Sequence, residues 1–169
     1  MTDQEEFVVT RIFDAPRELV WPVYTQAEHL KHWWGPKGFT MLSCTVDLRP
    51  GGLFHYGMKS PDGTEMWGKF VYREIVKPER LVFVVSFSDA KGGTTRHPWS
   101  ANWPLEVLNS VTFAEHAGRT TLTMRGAPIN ASELERKTFA DSHKSMDQGF
   151  KGTLDQLADY LATVKGRRL

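Results

Sequence analysis

Cysteine is almost absent from this chain of 169 residues, in which Cys44 is the single example. One cysteine excludes an intramolecular disulfide and any zinc site that is built from several thiolates. The residues around Cys44 alternate between apolar and polar types, which predicts a buried thiol rather than a reactive one.

Long apolar runs and a strong net charge are missing as well. No stretch reaches the roughly 20 apolar residues of a membrane-spanning helix, and Met1–Thr10 is acidic and lacks the apolar core of a signal peptide. The formal net charge is +1, which is too small to suggest nucleic-acid binding. We therefore expect a cytoplasmic protein that neither inserts into a membrane nor binds nucleic acid.

Catalytic signatures are a third absence. His29 and His32 have the i, i+3 spacing of two metal ligands on a helix, but no third ligand follows at a suitable spacing. No serine or cysteine nucleophile motif occurs. Neither Gly51-Gly52 nor Gly92-Gly93 opens a helix with a following lysine, so neither is a phosphate-binding loop. The sequence predicts no metal, no cofactor and no catalytic residue.

The composition that remains is typical of a globular protein. Hydrophobic residues make up 40% of the chain and charged residues 24%, as in ordinary soluble domains. A chain of this length can bury about 70% of the surface that its unfolded form exposes. No internal repeat or linker divides it, so we expect one domain over residues 1–169. The chain contains six tryptophans and ten phenylalanines, and this is the one feature of its composition that needs an explanation.

The N-terminal part of the chain predicts a strand and two short helices. Glu6–Phe13 is rich in β-branched and aromatic residues, as strands are. Pro16 then begins a helix, because proline fits the first helical turn, and Pro22 should kink or shorten that helix. A second short helix leads to Trp33-Trp34, after which glycine and proline residues end it.

From Thr40 onward, apolar residues recur at every second position, which predicts about six further strands in a meander. In the first of these strands, Leu42 and Cys44 are expected on one face. In a later one, Lys69 is expected to point away from the core. The segment from Asp89 to Pro104 interrupts the pattern, with about 16 residues that show no periodicity. Loops of this length are uncommon in compact domains, so this one is a candidate functional loop.

The C-terminal part of the chain predicts one long helix that ends near Val164. A capping-box pattern begins it, with Ser132 followed by Glu135. Apolar residues then recur at steps of three and four positions, which lines one face of a helix, and His143 lies on that face. Gly166 then follows the helix, and Lys165, Arg167 and Arg168 suit the C-terminal end of the helix dipole.

The order of these elements predicts the fold class. A strand, two short helices, strands in meander style and one long helix indicate an α+β domain. Its antiparallel sheet should wrap against the C-terminal helix, because that helix has a broad apolar face to bury.

Several short segments, spread over most of the chain, resemble one known family. They are Arg11-Ile12-Phe13-Asp14-Ala15-Pro16, Val20-Trp21, Thr25, Trp33-Trp34-Gly35-Pro36, Asp47-x-Arg49-x-Gly51-Gly52, Pro61-Asp62-Gly63, Gly68, and Pro78-Glu79-Arg80-Leu81. The family is named after the activator of the heat-shock protein 90 ATPase and belongs to the START-like, helix-grip superfamily. The resemblance implies a curved antiparallel sheet of six to seven strands that grips the C-terminal helix around a cavity. The chain departs from the family at Pro22, at Phe150, where the family tends to have tryptophan, and in the loop from Asp89 to Pro104.

The predicted faces of the sheet and the helix bring a set of mostly apolar side chains together. An apolar concavity with few polar groups is the usual form of a small-molecule pocket, and Gly149 and Gly152 would widen it. Ordinary core packing is the alternative interpretation of the same residues. The predicted ligand-binding residues are Trp34, Phe54, Tyr56, Met58, Met66, Phe70, Trp99, Trp103, Asn109, His143, Met146 and Phe150.

Three functions are open at this point. The first is the binding of a small hydrophobic molecule, lipid-like or aromatic, under the long helix. The second is an enzyme of the cyclase or hydrolase kind known among START-like domains, with His143, Tyr56 and Asn109 as its polar groups. The third, implied by the name of the family, is an interaction module that contacts a chaperone and stimulates its ATPase. The pattern favours the first function and leaves open whether the protein is a monomer or a homodimer.

Overall fold

The structure of the protein is a computed structural model that describes residues 6–167. The first five residues of the acidic N-terminal segment lie outside the described part, and so does Arg168, which the sequence pattern places at the end of the last helix. Within the described part, no helix is both long enough and apolar enough to cross a membrane.

The predicted first strand and pair of short helices are confirmed. Strand β1 is Phe7–Phe13, helix α1 is Arg17–Thr25 and helix α2 is Ala27–Trp33. Pro16 is the N-cap of α1 rather than its first helical residue. Helix α1 passes through Pro22 and ends three residues later, so the helix that contains this proline is only nine residues long.

One open, curved sheet contains all eight strands of residues 6–167. After β1 these are β2 (Thr40–Val46), β3 (Leu53–Lys59), β4 (Glu65–Val76), β5 (Arg80–Ser88), β6 (Thr94–Thr95), β7 (Glu106–His116) and β8 (Arg119–Ile129). They pair antiparallel in the order β1-β8-β7-β5-β4-β3-β2, and the short β6 pairs with β5. The predicted hairpin loop joins β3 to β4, with Gly63 at a φ of 92°, a conformation that favours glycine.

Alternation along the strands produces the predicted buried face. Phe54, Tyr56 and Met58 are buried on β3, and Phe70 is the direct partner of Phe54 on β4. Lys69 lies on the opposite face of β4, where its Nζ donates a hydrogen bond to a carbonyl of the loop after β5. We call the face that carries Phe54 and Phe70 the inner face of the sheet.

Strand β2 departs from the predicted alternation. A bulge between Met41 and Ser43 shifts its pairing with β3. An extra residue at a bulge changes which face the following side chains occupy. Met41 therefore packs on the core with Cys44 and Val46, whereas Leu42 is 45% exposed. The prediction that Leu42 and Cys44 share a face is wrong for this reason.

The predicted long C-terminal helix is divided in two, α3 (Glu133–Asp141) and α4 (His143–Arg167). At the break, the hydroxyl of Ser142 donates a hydrogen bond to the carbonyl of Thr138 at 2.7 Å. In a continuous helix that carbonyl would accept from the Ser142 N–H, which instead donates to the carbonyl of Phe139 at 3.1 Å. Serine side chains are known to compete with helical hydrogen bonds in this way. The apolar stripe is continuous and gives no sign of the break.

The predicted capping box begins α3. The Ser132 hydroxyl accepts from the Glu135 N–H at 3.1 Å, and the Glu135 carboxylate accepts from the Ser132 N–H at 2.9 Å. At the other end, α4 extends one residue beyond Gly166, where the sequence pattern places its end.

Helix α4 packs one apolar face against the core. Leu154, Leu157 and Leu161 are buried on it, and it contacts β1, α1 and α2. The predicted α+β helix-grip class, a curved antiparallel sheet with a C-terminal helix, is confirmed.

Candidate functional site

An apolar pocket of about 190 Å³ lies between the inner face of the sheet and the helices α3 and α4. Five strands, both helices and the 89–104 loop contribute to it. The lining residues are Phe7, Tyr56, Val85, Ser86, Phe87, Trp103, Val107, Asn109, Met124, Gly126, Phe139, Met146 and Phe150. None of these thirteen residues has a charged side chain. We call this space the main pocket.

Tyr56 is one of two polar side chains on the inner face at the main pocket. Its ring lies across Gly68, its direct partner on β4, because a Cβ at Gly68 would lie 2.5 Å from the Tyr56 hydroxyl oxygen. The glycine therefore allows the tyrosine to lie against the sheet. Burial raises the pKa of the Tyr56 hydroxyl well above its ordinary value. At physiological pH it is a neutral group that can both donate and accept a hydrogen bond.

Asn109 is the other polar side chain on this face, and it is only 9% exposed. It lies directly opposite Gly126 of β8, and a Cβ on Gly126 would overlap its Oδ1 atom. Within the described residues, the Asn109 carboxamide makes no hydrogen bond. Ser86 also lines the pocket, but its side chain does not lie on the inner face. It pairs with Lys69, which lies on the opposite face, and cross-strand partners point to the same face. Its hydroxyl is thus directed to the outer face.

A second pocket of about 230 Å³ adjoins the main pocket. It is lined by Trp34, Gly35, Pro36, Tyr56, Met58, Met146, Gly149, Phe150 and Thr153. Tyr56, Met146 and Phe150 line both pockets, so these three side chains form the partition between them. Two of the three, Met146 and Phe150, are one helical turn apart on α4.

Trp34 belongs to an aromatic cluster beside the second pocket. Its ring centroid lies 5.6 Å from that of Tyr56, 5.8 Å from that of Phe54 and 5.3 Å from that of Phe70. These are edge-to-face contacts of the favourable kind. Its Nε1 is buried and makes no hydrogen bond of acceptable geometry within the described part of the chain. It is near enough to the Tyr56 hydroxyl to offset a small part of the effect of burial on the pKa of that group.

The 89–104 loop is attached to α3 beside the main pocket. Trp103 lines the pocket, and its ring centroid is 5.5 Å from that of Phe139 in α3. Arg96 forms an ion pair with Glu135 of α3, with 2.5 Å between the nitrogen and oxygen atoms. The candidate functional loop thus contributes one lining residue, Trp103, to the pocket.

His97 connects the same loop to β5. Its ring centroid is 4.6 Å from that of Phe87, and its Nδ1 accepts a hydrogen bond from the Trp99 N–H at 3.0 Å. Burial lowers the pKa of the imidazole, which favours the neutral form that this hydrogen bond requires. Trp99 itself is 64% exposed.

The structure brings seven of the twelve predicted ligand-binding residues to the two pockets. The main pocket contains Tyr56, Trp103, Asn109, Met146 and Phe150, and the second pocket adds Trp34 and Met58. Their part in ligand binding stays a prediction.

The other five predicted residues line neither pocket. Phe54 and Phe70 are buried in the aromatic cluster, Met66 packs on the edge of the core, and Trp99 is exposed. His143 begins α4 next to the main pocket. Its ring centroid is 5.6 Å from that of Phe7 and 5.4 Å from that of Phe139.

Sequence patterns do not single out several of the lining residues. Val85 and Phe87 belong to a strand that is apolar at nearly every position, so alternation cannot show which of its residues face the pocket. Phe7 is recognisable only as a strand residue. Gly126 acquires a role only through its pairing with Asn109, which the sequence does not reveal.

Possible metal ligands do not converge. Among the described residues, no group of three or more His, Cys, Asp or Glu could hold a metal ion. His29 Nδ1 lies 2.7 Å from the Tyr160 hydroxyl, and His32 stacks on the same ring at 5.3 Å. Cys44 is half-buried, its thiol donates to the Ala27 carbonyl at 3.6 Å, and burial raises its pKa to about 11.

Comparison with known proteins identifies the family. The model of the family described as "Activator of Hsp90 ATPase homolog 1-like protein", or AHSA1, matches residues 14–162. The chain belongs to this family. The resemblance drawn from the short motifs is therefore confirmed, whereas no curated protein sequence matches the chain.

Solved structures show the same fold for this AHSA1-like chain. A crystal structure of a protein from Mycobacterium smegmatis is 27% identical, with a TM-score of 0.75, over 93% of this chain and 90% of the other. One from Nitrosomonas europaea is 24% identical, with a TM-score of 0.77, over 98% and 99% of the two chains. An AHSA1 protein from Silicibacter pomeroyi is 18% identical, with a TM-score of 0.68, over 94% and 98%. At the two lower identities the likeness shows the fold alone.

Proposed function

We propose that this AHSA1-like protein binds a small, mainly apolar molecule in the main pocket. The observation that carries the proposal is the composition of the lining, which has no charged side chain among thirteen residues. A concave, mostly apolar site with few polar groups is the usual construction of a small-molecule site.

Burial of apolar surface is the source of affinity in this proposal. Each Å² of apolar ligand surface that leaves water contributes about 25 cal/mol. Aromatic rings line the pocket from both the sheet and the helices, and the centroids of Phe7 and Phe150 are 5.7 Å apart. An aromatic or lipid-like molecule can make ring-edge and dispersion contacts with such a lining.

The proposed function is binding of the ligand without catalysis. General acid–base catalysis requires a group whose pKa lies near the working pH. Of the residues that line the main pocket, Tyr56 has a pKa that burial raises far above that range, and Asn109 does not titrate. A cyclase or hydrolase reaction and the stimulation of a chaperone ATPase remain separate hypotheses, and no contact in the pocket favours either.

Titration with N-phenyl-1-naphthylamine, an uncharged dye that fluoresces in apolar surroundings, tests the proposal. The protein is first unfolded and refolded to remove co-purified lipid, and native mass spectrometry before this step shows whether a small molecule is retained. Val107→Phe fills the pocket from its floor. The matched control is Val76→Phe, because Val76 is 41% exposed and lies away from both pockets.

Saturable binding by the wild type and by Val76→Phe, with affinity reduced at least about tenfold in Val107→Phe, is the expected result. No saturable binding by the wild type would overturn the proposal. Equal affinity in all three proteins would show that the dye binds elsewhere and would also count against it.

A further inference from the structure

Asn109 holds an unusual position in the main pocket. Asn109 is only 9% exposed, its carboxamide makes no hydrogen bond with the other described residues, and neither of its amide atoms is fully enclosed. The carboxamide can therefore meet water or a ligand in the pocket, and leaving it unpaired once a ligand excludes that water costs about 1–3 kcal/mol. Buried polar groups in folded proteins are therefore nearly always paired with protein, ordered water or a ligand.

Gly126 keeps the carboxamide at the floor of the pocket. It lies directly opposite Asn109 in the β7–β8 ladder and lines the same pocket. Any side chain at position 126 would overlap the Asn109 Oδ1 atom. On the other side of Gly126, its β1 partner is Phe7, whose ring forms part of the apolar lining. The carboxamide is thus a single polar point beside aromatic surface.

No charged side chain among the described residues lines the pocket to pair with a charged ligand. The thirteen described lining residues include no Lys, Arg, His, Asp or Glu, and burial of an unpaired carboxylate or ammonium group costs far more than burial of a neutral polar group. The second polar group, the Tyr56 hydroxyl, is also neutral. A carboxamide can both donate and accept, so it suits a carbonyl or a hydroxyl oxygen equally.

We propose that the ligand of the main pocket is an uncharged molecule with an apolar body and one carbonyl or hydroxyl group that hydrogen-bonds to the carboxamide of Asn109. This inference rests on the proposed function, because it names the class of molecule that the same pocket takes. The unpaired carboxamide supplies the orientation of the ligand, and the apolar lining supplies most of the affinity.

Three probes of similar size separate the contributions of the hydrogen bond, the apolar body and the charge to the affinity. They are 2-acetylnaphthalene, which carries a carbonyl group, 2-ethylnaphthalene, which carries none, and 2-naphthoate, which is charged. Affinities are measured by fluorescence or calorimetry for the wild type and for Asn109→Leu, which keeps the branched shape of the side chain and removes both hydrogen-bonding groups. The comparison between proteins cancels the different solubilities of the probes in water.

We expect Asn109→Leu to reduce the affinity for 2-acetylnaphthalene about tenfold and to leave the affinity for 2-ethylnaphthalene equal or higher. The wild type should bind 2-naphthoate more weakly than the ketone. If Asn109→Leu does not fold, as thermal unfolding would show, Asn109→Val replaces it in the same comparison.

Equal changes for the ketone and the hydrocarbon would overturn the inference, because a pocket water would then satisfy the carboxamide. Binding of 2-naphthoate as tight as that of the ketone would also overturn it. In both cases the hydrocarbon still binds and the proposed function stands. Failure of all three probes to bind the wild type would instead overturn the proposed function and this inference with it.

Discussion

The carboxylate of Glu135 lies 2.5 Å from a guanidinium nitrogen of Arg96, so an ion pair joins helix α3 to the 89–104 loop. The same carboxylate accepts the Ser132 N–H in the capping box. The Ser132 N–H, followed by Arg96, holds the pKa of Glu135 below its usual value. One side chain therefore both begins α3 and fixes the loop that brings Trp103 to the main pocket.

Replacement of Glu135 by glutamine separates these two contacts. Glutamine preserves a capping box but removes the ion pair, so Glu135→Gln should cost less than about 1 kcal/mol in urea unfolding. It should nevertheless speed tryptic cleavage at Arg96, because the loop is released. Ser132→Ala is the control, with an expected loss of about 1 kcal/mol through the cap. Unchanged cleavage at Arg96 in Glu135→Gln would contradict a role of the ion pair in holding the loop.

Acid should release the 89–104 loop through His97. Burial lowers the pKa of this imidazole in the folded protein. Its stabilising contribution is therefore present above the ordinary histidine value of about 6.5 and is lost as the pH falls below it through the folded pKa. Protonation also removes the Nδ1 acceptor of the Trp99 N–H.

Amide hydrogen exchange between pH 7 and pH 5, corrected for intrinsic rates, measures this release. Protection of the Trp99 amide should fall at the lower pH in the wild type. In His97→Gln, whose side-chain oxygen can accept without titrating, protection should not depend on pH. Equal pH dependence in both proteins would assign the effect to another group.

Gly126→Ala should destabilise the protein by about 1–3 kcal/mol, because the added methyl group overlaps the Asn109 carboxamide. Asn109→Ala removes the overlap, so the double variant should lose less stability than the sum of the two single changes. Urea unfolding of the four proteins measures this coupling. Additive losses would show that the two side chains do not compete for one space.

Two glycines of helix α4 should behave in the opposite way. A Cβ on Gly149 or Gly152 meets no atom within 4 Å, and alanine is the better helix former by about 0.5–1 kcal/mol. Gly149→Ala and Gly152→Ala should therefore each raise the free energy of unfolding by that amount. Only Gly149 borders the second pocket, so a gain for Gly152→Ala alone would indicate that space at position 149 matters to the fold.

The alternation of apolar and polar residues predicted side-chain directions reliably where one face of a strand is buried and the other is exposed to water. Phe54, Tyr56 and Met58 all lie on the predicted inner face, because a shift by one residue would expose every one of them. The same rule failed at Leu42, where the bulge in β2 adds a residue to one strand. Nothing in the local sequence marks that insertion.

The polar groups of the site were predictable, but the features that position them were not. Tyr56 and Asn109 stand out in the sequence as polar residues at inward positions. Their placement depends on the strand glycines Gly68 and Gly126, which lie opposite them in the ladder. Cross-strand register is a long-range property, so the sequence showed Gly68 only as a family motif and singled out the glycines of the helix for the pocket. The break at Ser142 was missed because the apolar stripe continues across it, whereas the Ser142 N–H donates to the carbonyl of Phe139.

Methyl NMR of methionine residues tests the central claim, the binding of an apolar molecule in the main pocket, most directly. Met124 and Met146 line that pocket, whereas Met41 and Met66 line neither pocket. On titration of ¹³C-methyl-methionine protein with N-phenyl-1-naphthylamine, ring currents should shift the methyl signals of Met124 and Met146, with a Kd equal to that from fluorescence. The signals of Met41 and Met66 should stay in place. Dye binding that leaves Met124 and Met146 unshifted would contradict the account.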